Sequence, residues 1–154
     1  MAERPDLSHA RVLVTGGAGF IGSTFVHRLL ARHPGAHAVV LDALTYAGRR
    51  ENLDGIPAAK LTFVHGDIRD PKAVGAAMQG CSYVLNFAAE SHVDRSIEAP
   101  GDFIQTDVYG VFVMCEEARR VGVQRFIQVS TDEVYGEVLE GQSTEDWPLN
   151  PRSP

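Results

Sequence analysis

The stretch Thr15-Gly16-Gly17-Ala18-Gly19-Phe20-Ile21-Gly22 restricts the fold of this chain more than any other. It joins a short apolar run, Val12-Leu13-Val14, to Phe20–Arg32, where Ile21, Phe25, Val26, Leu29 and Leu30 fall on one helical face. A strand therefore turns straight into a helix, and Gly16, Gly19 and Gly22 recur at every third position across the turn. Gly16 suits the tight turn, Gly19 lets backbone approach a pyrophosphate, and Gly22 lets the helix pack close to the sheet. The helix start adds free N–H groups and the positive end of a dipole, which together favour phosphate. With a strand before it and a helix after it, the pattern reads as a dinucleotide site.

The rest of the chain repeats the alternation. Further strands are predicted at residues 38–41, Leu61–His65, residues 83–87 and residues 126–129, with helices at Pro71–Met78 and residues 103–120, the latter stopping near Gly122. Such alternation builds βαβ units around a parallel sheet. The predicted fold class is α/β, a doubly wound parallel sheet of the Rossmann NAD-binding type, truncated after its fifth strand. Residues 11–154 are read as a partial NAD-binding domain behind a flexible leader at 1–10, with a substrate domain absent. Residues 142–154 are polar and turn-rich, with Pro148, Pro151 and Pro154, and read as a loop. A doubly wound sheet ordinarily has about six strands. The sequence is therefore expected to be the first part of a longer protein, its fifth strand an uncovered edge. Alone it is expected to fold poorly.

Composition removes several function classes. A formal net charge of −6 argues against a general nucleic-acid binder, since phosphate contacts draw on an excess of Lys and Arg. No apolar stretch is long enough for a membrane span, and the first residues lack an apolar signal core. Cys81 and Cys115 fit neither a disulfide framework nor a metal cluster, and both read as buried small hydrophobes in a reducing compartment. The histidines are scattered, so no metal is expected, and the expected location is cytoplasmic.

Chemistry-bearing residues gather at predicted strand ends, where ligands of an open parallel sheet bind. Asp42 ends the second strand, about twenty residues beyond the glycines, where an acid holds ribose hydroxyls. A carboxylate there repels a 2′-phosphate and favours NAD over NADP, although Arg49 and Arg50 lie nearby. Asp67 either accepts from an adenine amino group or caps the helix that begins at Pro71. In Phe87-Ala88-Ala89-Glu90-Ser91-His92, small residues let backbone lie against a cofactor, and His92 reads as a local hydrogen-bonder. Thr131, Asp132 and Glu133 follow the fifth strand. Two carboxylates in one cleft act as acid and base when their environments separate their pKa values. Elimination of water needs that pairing, because one proton leaves and one is delivered.

Four segments stand in order: Thr15-Gly-Gly-Ala-Gly-Phe-Ile-Gly-Ser23, Leu44-Thr-Tyr-Ala-Gly48, Asn86-Phe-Ala-Ala-Glu-Ser-His-Val-Asp-Arg-Ser-Ile97 and Ser130-Thr-Asp-Glu-Val-Tyr-Gly136. Together they resemble the dTDP-glucose 4,6-dehydratases of the extended short-chain dehydrogenase/reductase superfamily. The likeness runs from about Arg11 to Pro154. The glycine motif marks the superfamily, whereas Thr-Asp-Glu is the specific part. Related epimerases usually carry Ser or Ala in place of the acids, and the decarboxylases and GDP-mannose dehydratases usually keep only the glutamate.

The resemblance implies an NAD site in which Phe20 and Ile21 meet the pyrophosphate by backbone and Asp42 holds the ribose. Leu44 and Thr45 line the adenosine side, and Asp67 and Ile68 meet the adenine. Phe87, Ala88, Ala89 and Ser91 flank the nicotinamide half, with Thr106 nearby, and Ser91 also lies on the substrate side. The implied substrate is dTDP-glucose. Thr131 bonds the glucose, Asp132 is the proton donor and Glu133 the proton acceptor. A homodimer through a helix bundle that includes residues 103–120 is implied too, leaving Phe112 exposed in this chain alone. Ala43 departs from the family's common lysine. The family's Tyr-x-x-x-Lys pair, expected to follow Pro151-Arg152-Ser153-Pro154, has no counterpart: the lysines are Lys60 and Lys72, neither with a tyrosine at that spacing. The alternatives are a UDP-glucose 4,6-dehydratase, a 4-epimerase on the same scaffold, or a non-catalytic NAD-binding module.

Overall fold

A computed structural model describes residues 6–152. The first half of the leader and the last two residues, Ser153 and Pro154, fall outside them. Among the described residues, five strands form one parallel sheet: β1 (Arg11–Thr15), β2 (His37–Asp42), β3 (Leu61–His65), β4 (Tyr83–Asn86) and β5 (Arg125–Gln128). Their order is β3-β2-β1-β4-β5. The chain winds outward from β1 to β3, then crosses back to place β4 on the other side of β1. The switch point therefore lies between β1 and β4, where Thr15 pairs with Asn86 at the strand ends. This is the doubly wound Rossmann arrangement the sequence predicts.

Strand period decides which residues face which layer. Leu13, Val39, Leu41 and Val84 point to one face and pack with Val74 and Met78 of α2 (Pro71–Met78) and with Val113 and Met114 of α5 (Val111–Val121). Val12, Val14 and Val40 point to the other face, against Val26, Leu29 and Leu30 of α1 (Phe20–Arg32). Both faces are covered, so β1 and β2 read as near-continuous apolar runs. Each fully buried Val or Leu stabilises the fold by about 1.5–3 kcal/mol. At the margin of the sheet, Ala10 is buried, its carbonyl accepts from the His37 N–H at 2.9 Å, and Leu7 packs against the α1-side core.

Three expectations are corrected. Ile21 does not share the buried face of α1: it is 63% exposed, because the first helical turn stands beyond the end of the sheet. Phe25 is half-buried and meets the Phe87 ring at 5.4 Å. The single helix predicted over 103–120 is a composite of α4 (Pro100–Phe103), a π-helical stretch at Ile104–Gly110, and α5. Apolar spacing barely changes between i→i+4 and i→i+5 bonding over two turns, so the sequence pattern does not separate them. A further helix, α3 (Val93–Glu98), precedes this composite. The predicted stop at Gly122 holds: it is left-handed, φ 79°, and its N–H donates to the Ala118 carbonyl. Third, Cys115 is exposed, while Cys81 is buried and its thiol pushed up by that burial. Among the described residues no helix is long and apolar enough to cross a membrane.

Candidate coenzyme and acid-pair site

The glycine turn is built by close backbone approach. Gly16 has φ +63°, its N–H donates to the Leu41 carbonyl at 3.0 Å, and a Cβ there would stand 2.7 Å from the Ala88 nitrogen. A Cβ on Gly22 would overlap the Gly16 carbonyl oxygen, so Gly22 serves the packing of α1 on its own entry turn rather than on the sheet. Gly17, which the spacing pattern passes over, sits against Val40, a Cβ meeting its Cγ1 at 2.8 Å. Gly19 is different, because a Cβ there would meet only the Gly16 oxygen, at 3.2 Å. Gly19 is also the N-cap of α1, which has no side-chain cap and no acid in its first turn. A bare helix start above a side-chain-free cradle is what a pyrophosphate needs. The residues present thus fit a dinucleotide, with Phe20 and Ile21 at the rim, 85% and 63% exposed.

Asp42 is buried at the end of β2, and its two oxygens hold two loops. Oδ2 accepts from the Ala18 N–H and Oδ1 from the Leu44 N–H, each at 2.8 Å. Leu44 adopts a left-handed φ of 51°, uncommon for a residue with its side chain, and the bond to Asp42 holds it there. Each carboxylate oxygen keeps a second lone pair. Thr45 is exposed beside it. Arg50 is turned toward β3, its guanidinium 5.0 Å from the Phe63 ring centroid.

At the end of β3, Asp67 is held by Arg69, Nη2 at 2.6 Å and Nε at 3.0 Å, and this bonding draws its carboxyl below the ordinary range. It does not cap α2. That role falls to Asp70, whose Oδ1 accepts from the Lys72 N–H at 2.9 Å. The Ile68 side chain is buried in the core beneath Gly110, so only its backbone remains to face a ligand.

On the other side of β1, Thr15 and Asn86 are both fully buried. The Thr15 hydroxyl donates to Asn86 Oδ1, and Asn86 Nδ2 donates to Gln128 Oε1 at 2.8 Å. This polar ladder crosses the ends of β1, β4 and β5, and the sequence reading missed Asn86 and Gln128. Both carried a signal, as amides at the last position of a strand. The loop after β4 starts from the ladder, with the Ala88 N–H reaching Thr15 Oγ1 at 3.4 Å. Phe87 and Ala88 are half-buried, whereas Ala89 and Ser91 are exposed. Thr106 is half-buried in the π-helical stretch. Its neighbour Asp107 accepts from the Glu90 N–H at 2.9 Å. Burial, with the Glu90 charge adding to it, pushes the Asp107 carboxyl up.

The acid pair follows β5. Val129 donates to the Asn86 carbonyl at 3.1 Å, which fixes the chain against β4 before it turns. Thr131 caps the 3₁₀ turn Asp132–Tyr135: its Oγ1 accepts from the Glu133 N–H at 3.3 Å and donates to Asp132 Oδ1 at 3.2 Å. Thr131, Asp132 and Glu133 are all exposed. Behind them Gly136 has φ +74°, a Cβ there would overlap the Asn150 carbonyl oxygen, and the Asn150 N–H donates to the Val134 carbonyl at 2.9 Å. The polar loop thus backs the turn that carries the acids.

The model of the family described as GDP-mannose 4,6 dehydratase matches residues 13–154. A dTDP-glucose 4,6-dehydratase of Streptomyces antibioticus is 50% identical over 148 residues, covering 93% of this chain and 44% of that protein. The low-salt glycan biosynthesis protein Agl12 of Haloferax volcanii is 51% identical over 144 residues, covering 93% of this chain and 46% of its own length. Among solved structures, DesIV, a dTDP-glucose 4,6-dehydratase from Streptomyces venezuelae with NAD and TYD bound, aligns with TM-score 0.86 at 50% identity, covering 93% of this chain and 46% of that one. A Thermus thermophilus UDP-glucose 4-epimerase complex with NAD aligns with TM-score 0.82 at 40% identity, covering 93% and 45%. The chain spans a little under half the length of the relatives it matches.

Proposed function

The chain belongs to the GDP-mannose 4,6 dehydratase family, and from that premise we propose that it forms the NAD-binding part of a dTDP-glucose 4,6-dehydratase. One observation carries the reading: the bare helix start at Gly19 and the Thr131-Asp132-Glu133 turn open at the same, carboxyl, edge of one parallel sheet.

NAD, when bound, would supply reversible hydride acceptance. The backbone of Phe20 and Ile21 and the start of α1 bind the pyrophosphate. Asp42 holds the ribose, with Leu44 and Thr45 beside it, and Asp67 and the Ile68 backbone border the adenine. Phe87, Ala88, Ala89, Ser91 and Thr106 border the nicotinamide half. Thr131 orients the glucose ring. Once C4 is a ketone, the C5 hydrogen is acidic; Glu133 takes that proton while Asp132 gives one to the departing C6 hydroxyl. Water leaves; when C6 is reduced, Glu133 would return its proton to C5, and the proton released from the C4 hydroxyl would recharge Asp132, so protons balance over the cycle. The tyrosine–lysine pair that the resemblance implies for the C4 oxidation has no counterpart in residues 1–154, and these residues alone would not turn over. A second copy docks on the exposed apolar face of Ile104, Val108 and Phe112.

The test is to incubate the natural full-length protein with dTDP-glucose and NAD and follow the sugar by mass. A product lighter by one water, with no net coenzyme reduction, is expected. An epimerised sugar of unchanged mass would overturn the reading.

A further inference from the structure

Beyond the binding residues named above, Arg95 joins two loops that flank β1. It lies in α3, after β4, and its guanidinium carbon stands 4.5 Å from the centroid of the Tyr46 ring. Tyr46 belongs to the loop after β2, two residues past Leu44, whose backbone Asp42 fixes. In the sheet β2 and β4 are not neighbours, because β1 lies between them. The Arg95–Tyr46 stack therefore bridges from one side of β1 to the other, over the strand that delivers the glycine turn.

The same arginine faces the nicotinamide-side loop. Its Nε is 3.7 Å from Glu90 Oε2, a buried oxygen with no hydrogen-bond partner among the described residues. A movement of about 0.5–1 Å brings that pair to hydrogen-bond distance. A buried acceptor left unmatched costs free energy, so the geometry favours closure. Glu90 is anchored at its other end, by its backbone N–H to Asp107. An arginine suits this place because its planar, delocalised head lies on a ring and still offers N–H donors at its edge.

We propose that Arg95 is a positioning residue that latches the Tyr46 loop to the Glu90 loop across the coenzyme crevice and thereby slows release of NAD. The latch rests on the NAD site proposed above. Its geometry predicts that Arg95 and Tyr46 act as one unit.

The experiment measures NAD release from the full-length protein and from Arg95→Met, Tyr46→Leu, Tyr46→Phe and the Arg95→Met/Tyr46→Leu double variant. Release about fivefold faster is expected for Arg95→Met and for Tyr46→Leu, the scale of a partly exposed cation–ring contact. Tyr46→Phe keeps the ring and releases at the wild-type rate. The double variant releases no faster than the faster single one, a coupling that a general loss of stability does not produce. Wild-type rates in both single variants, or effects that multiply in the double variant, overturn the latch. If Arg95→Met does not fold, equal rates in Tyr46→Leu and Tyr46→Phe overturn it. A wild-type protein that binds no NAD overturns site and latch together, whereas variants matching an NAD-binding wild type overturn the latch alone.

Discussion

Gly16 and Ala88 meet backbone to backbone at the switch point, with room between them for a hydrogen and not for a methyl group. Gly16 also sits at φ +63°, where a side chain is strained. Gly16→Ala is therefore expected to destabilise the fold by about 2–4 kcal/mol, from left-handed strain and overpacking together. Urea denaturation checks this, and a loss below 1 kcal/mol would show that the two loops separate without cost.

The buried ladder makes a second prediction. Asn86→Ala leaves the buried Thr15 hydroxyl without its partner, while the exposed Gln128 amide turns to solvent. A cost of about 2–3 kcal/mol is expected, the scale for orphaning buried polar groups. Adding Thr15→Val should cost less than the sum of the single changes, since the orphaned hydroxyl is gone. Strict additivity in a double-mutant cycle would count against the ladder.

Two aspartates should respond to acid in opposite directions. Arg69 holds the Asp67 carboxyl below its ordinary pKa, so the stability it adds is complete above that ordinary value and lost as pH falls through the folded value. The pair is partly exposed and its contribution is about 0–1 kcal/mol. The deficit of Asp67→Asn relative to wild type should shrink on acidification. Burial raises Asp107, so the fold binds its proton more tightly than the unfolded chain does. Wild type then loses stability as pH rises from the ordinary carboxylate value through the folded one. Asp107→Asn keeps the acceptor for the Glu90 N–H and should match or exceed wild type at pH 7, with the advantage fading in acid. Melting curves across a pH series decide both signs.

The acid pair is tested in the full-length protein. Asp132→Asn and Glu133→Gln should each lower dehydration of dTDP-glucose by about 100-fold or more, the range for a missing general acid or base. Both variants should still bind NAD, because the glycine turn and Asp42 are untouched. Unimpaired turnover in either one removes that residue from the proton transfers.

Much of the crevice was legible because its determinants are local. Glycine at 16, 19 and 22 between a strand and a helix specifies a turn that no other residues build, and Asp42 and Thr131 stand at strand ends that apolar runs mark. The alternation of strand and helix predicted a parallel, doubly wound sheet, whereas the order β3-β2-β1-β4-β5 is seen only in the fold. The sequence pattern placed Ile21 on the buried face because periodicity sees a helix and not where the sheet beneath it stops. It placed one helix over 103–120 for a related reason, since apolar spacing does not register a change from α to π bonding.

What the chain determines by itself is the set of local conformations: the glycine turn, the strand and helix alternation, the Gly122 stop and the Thr131 cap, each fixed by residues within a few positions of one another. Only the tertiary structure decided that Asp42 ties Ala18 to Leu44, that Asn86 joins Thr15 to Gln128, and that Arg95 rests on Tyr46. Apart from Asp42 with Leu44, these partners lie far apart in sequence. They exist because packing two helical layers on a parallel sheet brings the ends of β1, β2, β4 and β5 together, and buried polar groups there must find partners among whatever residues arrive.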